Sequence, residues 1–215
     1  YWANSLALMG DAGHMASDAL ALAIAAFAAW ISQRPPSAKH SYGYGRAEVV
    51  AAWVSSLMMV GISIWVIVEA VNRIHQPTKV AGMPVMVIAF IGLLVNILIA
   101  WLLARGERTL NIRAALLHVM SDILGSIAAL IAGAVIYFTG WFPIDPILSI
   151  LISILIMISA LSLLRESLQV LMEGVPGHIN IEDVSDDLAN VEGVKAVHDL
   201  HIWTLSSGTI AMSAH

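Results

Sequence analysis

Two stretches of the sequence repeat one spacing of side chains able to do chemistry: His14-Met15-Ala16-Ser17-Asp18 and His118-Val119-Met120-Ser121-Asp122. Four residues is about one helical turn, so in each stretch the imidazole and the carboxylate project from one face. Segments 14–20 and 118–124 agree at four of seven positions. Facing helices would bring two nitrogens and two oxygens into a closed four-coordinate shell. That shell suits Zn²⁺, which takes His and Asp in tetrahedral geometry at about 2.0 to 2.2 Å. Cu(I) favours sulfur, while Mg²⁺ and Ca²⁺ ask for more oxygen. The chain has no cysteine, which removes thiolate sites. Asp11, one turn before His14, could be a fifth ligand, orient an imidazole or line an access path. The last two suit it better.

The elements that must position these residues are membrane helices. Of 215 residues 59% are hydrophobic and 12% charged, about half the charged fraction of a soluble domain. Uncharged runs at 49–68, 80–104 and 146–164 have bilayer length. Five spans are predicted, at 6–31, 47–71, 82–104, 112–137 and 146–164. Pro35-Pro36, Gln76-Pro77, Arg105-Gly106 and Thr139-Gly140 supply the stops. Trp30, Trp101 and Trp141 fall at span ends, where indoles favour the interface. Gly61, Gly92, Gly125 and Gly133 are expected to allow close helix contact. A carboxylate at the centre of such a helix costs roughly 2.5 to 3.5 kcal/mol. A partner or an ion must therefore accompany Asp18 and Asp122. A site in mid-membrane with no nucleophile beside it points to movement of an ion. Metal binds only neutral imidazole, so metal and proton compete there, and metal-for-proton exchange follows as an expectation.

Charge gives orientation and a domain boundary. Arg34, Lys39 and Arg46, then Arg105, Arg108 and Arg113, then Arg165 mark one side of the bilayer as cytoplasmic; Arg73 and Lys79 are the cations of the other. Residues 1–172 hold nine Lys/Arg and eight Asp/Glu, whereas 173–215 hold one and seven, so the net charge of −5 divides into +1 and −6. The expected division is a transmembrane domain at 1–172 and the start of a cytoplasmic domain at 173–215, which the resemblance given below implies is metal-sensing. A basic surplus is missing, which excludes a nucleic-acid binder. The tail reads as a helix at 181–191, a strand at 194–205, a turn at Ser206-Ser207-Gly208 and a second strand at 209–215. Two strands alone are marginal, so the chain is expected to stop inside a domain. The opening Tyr1-Trp2 and an odd number of spans suggest that a first helix is missing.

Taken together the motifs resemble the cation diffusion facilitator family, in its zinc-transporter branch. The resemblance runs through Ser5-Leu6-Ala7-Leu8 and Asp11-Ala12-Gly13-His14-Met15-Ala16-Ser17-Asp18, then His40-Ser41-Tyr42-Gly43-Tyr44-Gly45-Arg46-Ala47-Glu48, His118 to Asp122, and Asp145-Pro146. It continues through Met172-Glu173-Gly174-Val175-Pro176 and Val197-His198-Asp199-Leu200-His201-Ile202-Trp203. It implies an α-helical polytopic membrane protein, with five of six family helices present, and a truncated cytoplasmic α+β domain of ferredoxin-like form. It implies a homodimer that exports Zn²⁺ from the cytoplasm in exchange for H⁺, with transport site His14, Asp18, His118 and Asp122; a compact chain without a His-rich loop fits a bacterial inner membrane. It places regulatory zinc near positions matching His198 and His215. It also suggests a charge interlock between Arg46 and Glu173.

Two family features depart. A second metal site in the loop after the first span would fall on Ser37, His40 and Tyr44, where only His40 can ligate in the family's manner, so His40 is read as a solvated loop residue. The loop at 105–113 holds no histidine and cannot gather metal. His75 and His178 read as interface and linker residues. On one continuous strand His198 and His201 face opposite ways, so both join one site only through a bulge. The alternative function is an intramembrane metal-dependent hydrolase using the same His/Asp ligands, which needs an open coordination position and an acid or base, with Asp11 the candidate. A bis-histidine haem protein is disfavoured by the paired aspartates.

Overall fold

The computed structural model describes residues 20, 22–75, 82–106, 109–206 and 208–215. Helices α1 (Leu22–Ser32), α2 (Arg46–His75), α3 (Gly82–Leu103), α4 (Leu110–Thr139) and α5 (Ile144–Leu171) are followed by the short α6 (Ile181–Ala189) and a hairpin of β1 (His201–Ser206) and β2 (Thr209–Ser213). Among the described residues α2, α4 and α5 are each long and apolar enough to cross a membrane. Helix α3, 22 residues long, is apolar apart from Asn96. The chain is a helical integral membrane protein carrying a small α+β tail.

The bundle is inverted in polarity relative to a soluble protein. Helix α2 buries Val49, Ser56, Ser63 and Ala70, each seven residues from the next, with Ala52 and Met59 between them. Helix α5 buries Pro146, Ser153, Ala160 and Ser167 at the same interval. The two helices pack on each other along these seams. Small residues every seventh position let backbones approach and favour a shallow left-handed crossing. The large apolar side chains point outward instead: Leu57, Ile64, Trp65 and Val68 on α2, and Phe90, Leu94, Leu98 and Trp101 on α3, are exposed. Water could not solvate such a surface, and lipid can. Of the expected glycine contacts, Gly92 packs, since a Cβ there would lie 3.7 Å from Ser126 Oγ. Gly61 and Gly125 meet nothing within 4 Å among the described residues.

The core proper lies where α2, α4 and α5 meet near the tail: Val49, Ala52, Leu110, Ala114 and Leu163. Helix α4 starts on Thr109, whose Oγ1 accepts the Ile112 N–H at 3.2 Å, and stops on Gly140, left-handed at φ 69°. Helix α5 continues to Leu171, past the expected end at 164. The extension is amphipathic: Ser167 is buried, while Glu166 reaches out to an ion pair with Arg113. Trp30 and Trp101 stack under Arg34 and Arg105, with the guanidinium carbons 4.2 and 3.5 Å from the ring centroids, which fixes both indoles at the tail-side interface.

The tail departs from its expected form in one respect. Regular pairing begins at His201 instead of 194, because Asp199 adopts φ 54° and interrupts the extended backbone. His201 pairs with Ser213, yet His198 and His215 exchange both backbone hydrogen bonds, at 2.7 and 2.8 Å. One extra residue on the first strand is therefore a bulge. The expectation of a single strand across 198 and 201 is corrected on this point.

Candidate metal site and its surroundings

Helix α4 carries the second His/Asp pair into the bundle. His118 is 6% exposed and Asp122, one turn on, is partly buried. Ser121 Oγ donates to the His118 carbonyl at 2.6 Å. The His118 face continues toward the tail through Ala115, Ala114 and Asn111, all buried. A cavity of about 10 Å³ opens beside His118, bounded by Leu22 of α1 and by Ser55 and Met59 of α2. That is about the space of one water-sized particle. His14, Asp18 and Asp11 lie outside the described residues, so the first half of the expected shell is not among them. Among the described residues no group of three or more His, Asp or Glu could hold a metal.

Among the described residues, four polar contacts tie the helices together at the tail end. Ser32 Oγ on α1 donates to Glu48 Oε1 on α2 at 2.8 Å. Arg46 Nη2 on α2 meets Glu173 Oε1 just beyond α5 at 2.9 Å, and Arg113 on α4 meets Glu166 on α5 at 2.5 Å. Asn111 Nδ2 on α4 donates to the Ala25 carbonyl on α1 at 2.6 Å. Asn111 is 1% exposed, whereas the side chains of the two ion pairs are more than a third exposed. Asn111 and Glu166 fall outside the sequence motifs, and Glu48 closes one of them without a role of its own. The signal that could have found Asn111 is its place two turns before His118, in an otherwise apolar seam. At the other end the contacts of Arg73 with Glu69, His75 with the Val71 carbonyl and Thr139 with the Val135 carbonyl each stay within one helix.

The structure brings together Arg46 and Glu173, and it brings together His198 and His215. The rings of the latter lie 6.0 Å apart, inclined by 25°, with His198 Nδ1 3.6 Å from Asp199 Oδ2. His201 lines a cleft with Glu173 and Trp203. His40 is exposed; it exchanges two 3.0 Å backbone hydrogen bonds with Ser37 and stacks on Tyr44 with centroids 4.5 Å apart. The three positions after the first span thus cluster, with a phenol and a hydroxyl in place of two stronger ligands. His75 caps its own helix and His178 lies exposed in the linker turn.

The sequence is matched by two family models, one described as the cation efflux transmembrane domain over residues 1–172 and the other as the cation efflux protein cytoplasmic domain over 176–215. The chain is 43% identical over 215 residues to a Bacillus velezensis protein named cadmium, cobalt and zinc/H(+)-K(+) antiporter, covering 99% of this chain and 69% of that one. It is 43% identical over 218 residues to the zinc transporter ZitB of Escherichia coli, covering 100% and 69%. It is 38% identical over 213 residues to the metal cation efflux system protein CzcD of Cupriavidus metallidurans, covering 99% and 67%. The chain spans about two thirds of the length of these relatives.

Proposed function

The chain belongs to the cation efflux family, in the zinc-transporter branch of the cation diffusion facilitators, and from that premise we propose that it exports Zn²⁺ from the cytoplasm in exchange for H⁺. The observation that carries this reading is His118 with Asp122: a buried imidazole and a carboxylate one turn apart, on the inner face of a membrane helix. His14 and Asp18 repeat the spacing and complete a tetrahedral N₂O₂ shell for the ion. Neutral imidazole ligates and imidazolium does not, so protons arriving from outside displace the metal there and the metal displaces protons on the inside. Residues 1–172 form the transport domain and 173–215 begin a cytoplasmic domain through which two copies pair. His198 and His215, joined across the bulge, are two ligands of a regulatory zinc in that domain. The Arg46–Glu173 contact ties the domain's first residues to α2.

The test is a proton gradient imposed on proteoliposomes of the full chain. A gradient, acid inside, should drive zinc inward against its own gradient through copies whose cytoplasmic face is outward, and the lumen should lose protons as zinc enters. Zinc flux that ignores the gradient and leaves luminal pH unchanged would remove the exchange. Product release from a peptide or lipid substrate without ion flux would return the reading to the hydrolase.

A further inference from the structure

Asn111 has features that neither helix packing nor the ion shell requires. It lies in the first turn of α4, 1% exposed, and donates to a backbone carbonyl of another helix at 2.6 Å. Its Oδ1 is buried with no hydrogen-bond partner among the described residues. A buried amide that leaves its acceptor unmatched is costly, and an apolar residue of the same shape would avoid the cost. The seam around it is otherwise built of small residues: Ala25 and Ala28 on α1, Ala114 and Ala115 on α4.

Its place in the register is specific. Asn111 precedes His118 by seven residues. Seven residues is two turns to within about 20°, or about 10.5 Å of helix rise. Asn111 thus shares the face of α4 that carries His118. The bond to a main-chain carbonyl fixes α1 along α4 whatever side chain stands at position 25. It joins α1 to the helix bearing His118 and Asp122, two turns to the cytoplasmic side of His118. The other three cross-helix contacts at this end are ion pairs or a hydroxyl contact with solvent-accessible members. Asn111 is the buried one.

We propose that Asn111 is a positioning residue that closes the ion path on the cytoplasmic side. Made, its bond to Ala25 holds α1 against α4 and shuts the seam below His118. Broken, it lets α1 and α4 part, admits water that satisfies Oδ1, and opens the site to the cytoplasm. The inference rests on the proposed transport reading, and its experiment separates the two.

The chain contains no cysteine, so a single Ala28→Cys substitution supplies a thiol that reports opening of the seam. In the full chain in inverted vesicles, Asn111→Leu keeps the bulk and removes the bond. It should speed modification of the introduced thiol by a charged thiosulfonate at least fivefold and lower the maximal zinc uptake rate at least tenfold. Equilibrium zinc binding by the purified variant should stay within about threefold of the parent. Asn111→Ser, which retains a donor, should recover part of both effects. Unchanged labelling overturns the proposal, as does a serine variant no better than leucine. Lost zinc binding with unchanged labelling overturns it too, because Asn111 would then belong to the ion shell. The labelling arm requires no ion flux, so a parent protein that fails to exchange zinc for protons defeats the transport reading and leaves the closure readable.

Discussion

At the scale of single residues, burial decides which charges matter. Asp122, partly buried, stands one turn from the buried His118 on α4, and in the proposed site its charge faces the ion. Asp122→Asn keeps the shape and removes the charge, so zinc affinity of the purified protein should fall at least tenfold, measured by competition with a zinc-sensitive dye. Arg46 and Glu173 meet at 2.9 Å with side chains 38% and 61% exposed, and water screens most of their attraction. Arg46→Ala should therefore cost at most about 1 kcal/mol in thermal unfolding in detergent. A larger loss would mean that the contact holds the tail to the bundle as well as pairing charge. The ion pair is foreseen through the family resemblance, since the sequence alone shows only two charges bracketing the membrane unit. Asn111 is not, since an asparagine near a helix start reads as a surface residue until its partner is seen.

At the scale of elements, close contacts between main chains give sharper tests than charges do. A Cβ on Gly45, at the foot of α2, would lie 2.5 Å from Ser206 Cβ at the end of β1. Gly45→Ala should loosen the tail from the bundle, seen as faster proteolysis of the linker at 174–178, and Ser206→Gly in the same chain should restore protection. Failure of the second change to compensate would show that the two elements do not meet there. Gly140 ends α4 at φ 69° with open space around it, so Gly140→Ala should cost about 1 kcal/mol through backbone strain alone. The membrane helices can be read from uncharged runs and Pro/Gly stops, because lipid forbids charge and loops over those lengths. The hairpin cannot be read as closely, and the sequence pattern makes its first strand too long. The left-handed Asp199 that shortens it goes with the pairing of His198 with His215, which no local pattern announces.

At the scale of the whole molecule, the cross-helix contacts described above, Ser32 with Glu48, Arg46 with Glu173, Arg113 with Glu166 and Asn111 with Ala25, lie at the end that carries the tail, while apolar surface faces outward along α2, α3 and α5. With the cations clustered at that same end, the tail lies in the cytoplasm. Protease added to inverted vesicles should remove it, and right-side-out vesicles should protect it; the reverse pattern would invert the direction of transport. Everything proposed here turns on zinc passing through the shell of His14, Asp18, His118 and Asp122. The decisive measurement is zinc uptake into inverted vesicles, with luminal pH recorded, for the parent and for alanine at each of the four positions. The parent should take up zinc and release protons together, and every single variant should lose at least tenfold in both fluxes. Undiminished zinc uptake in the His118→Ala and Asp122→Ala variants would contradict passage through that shell.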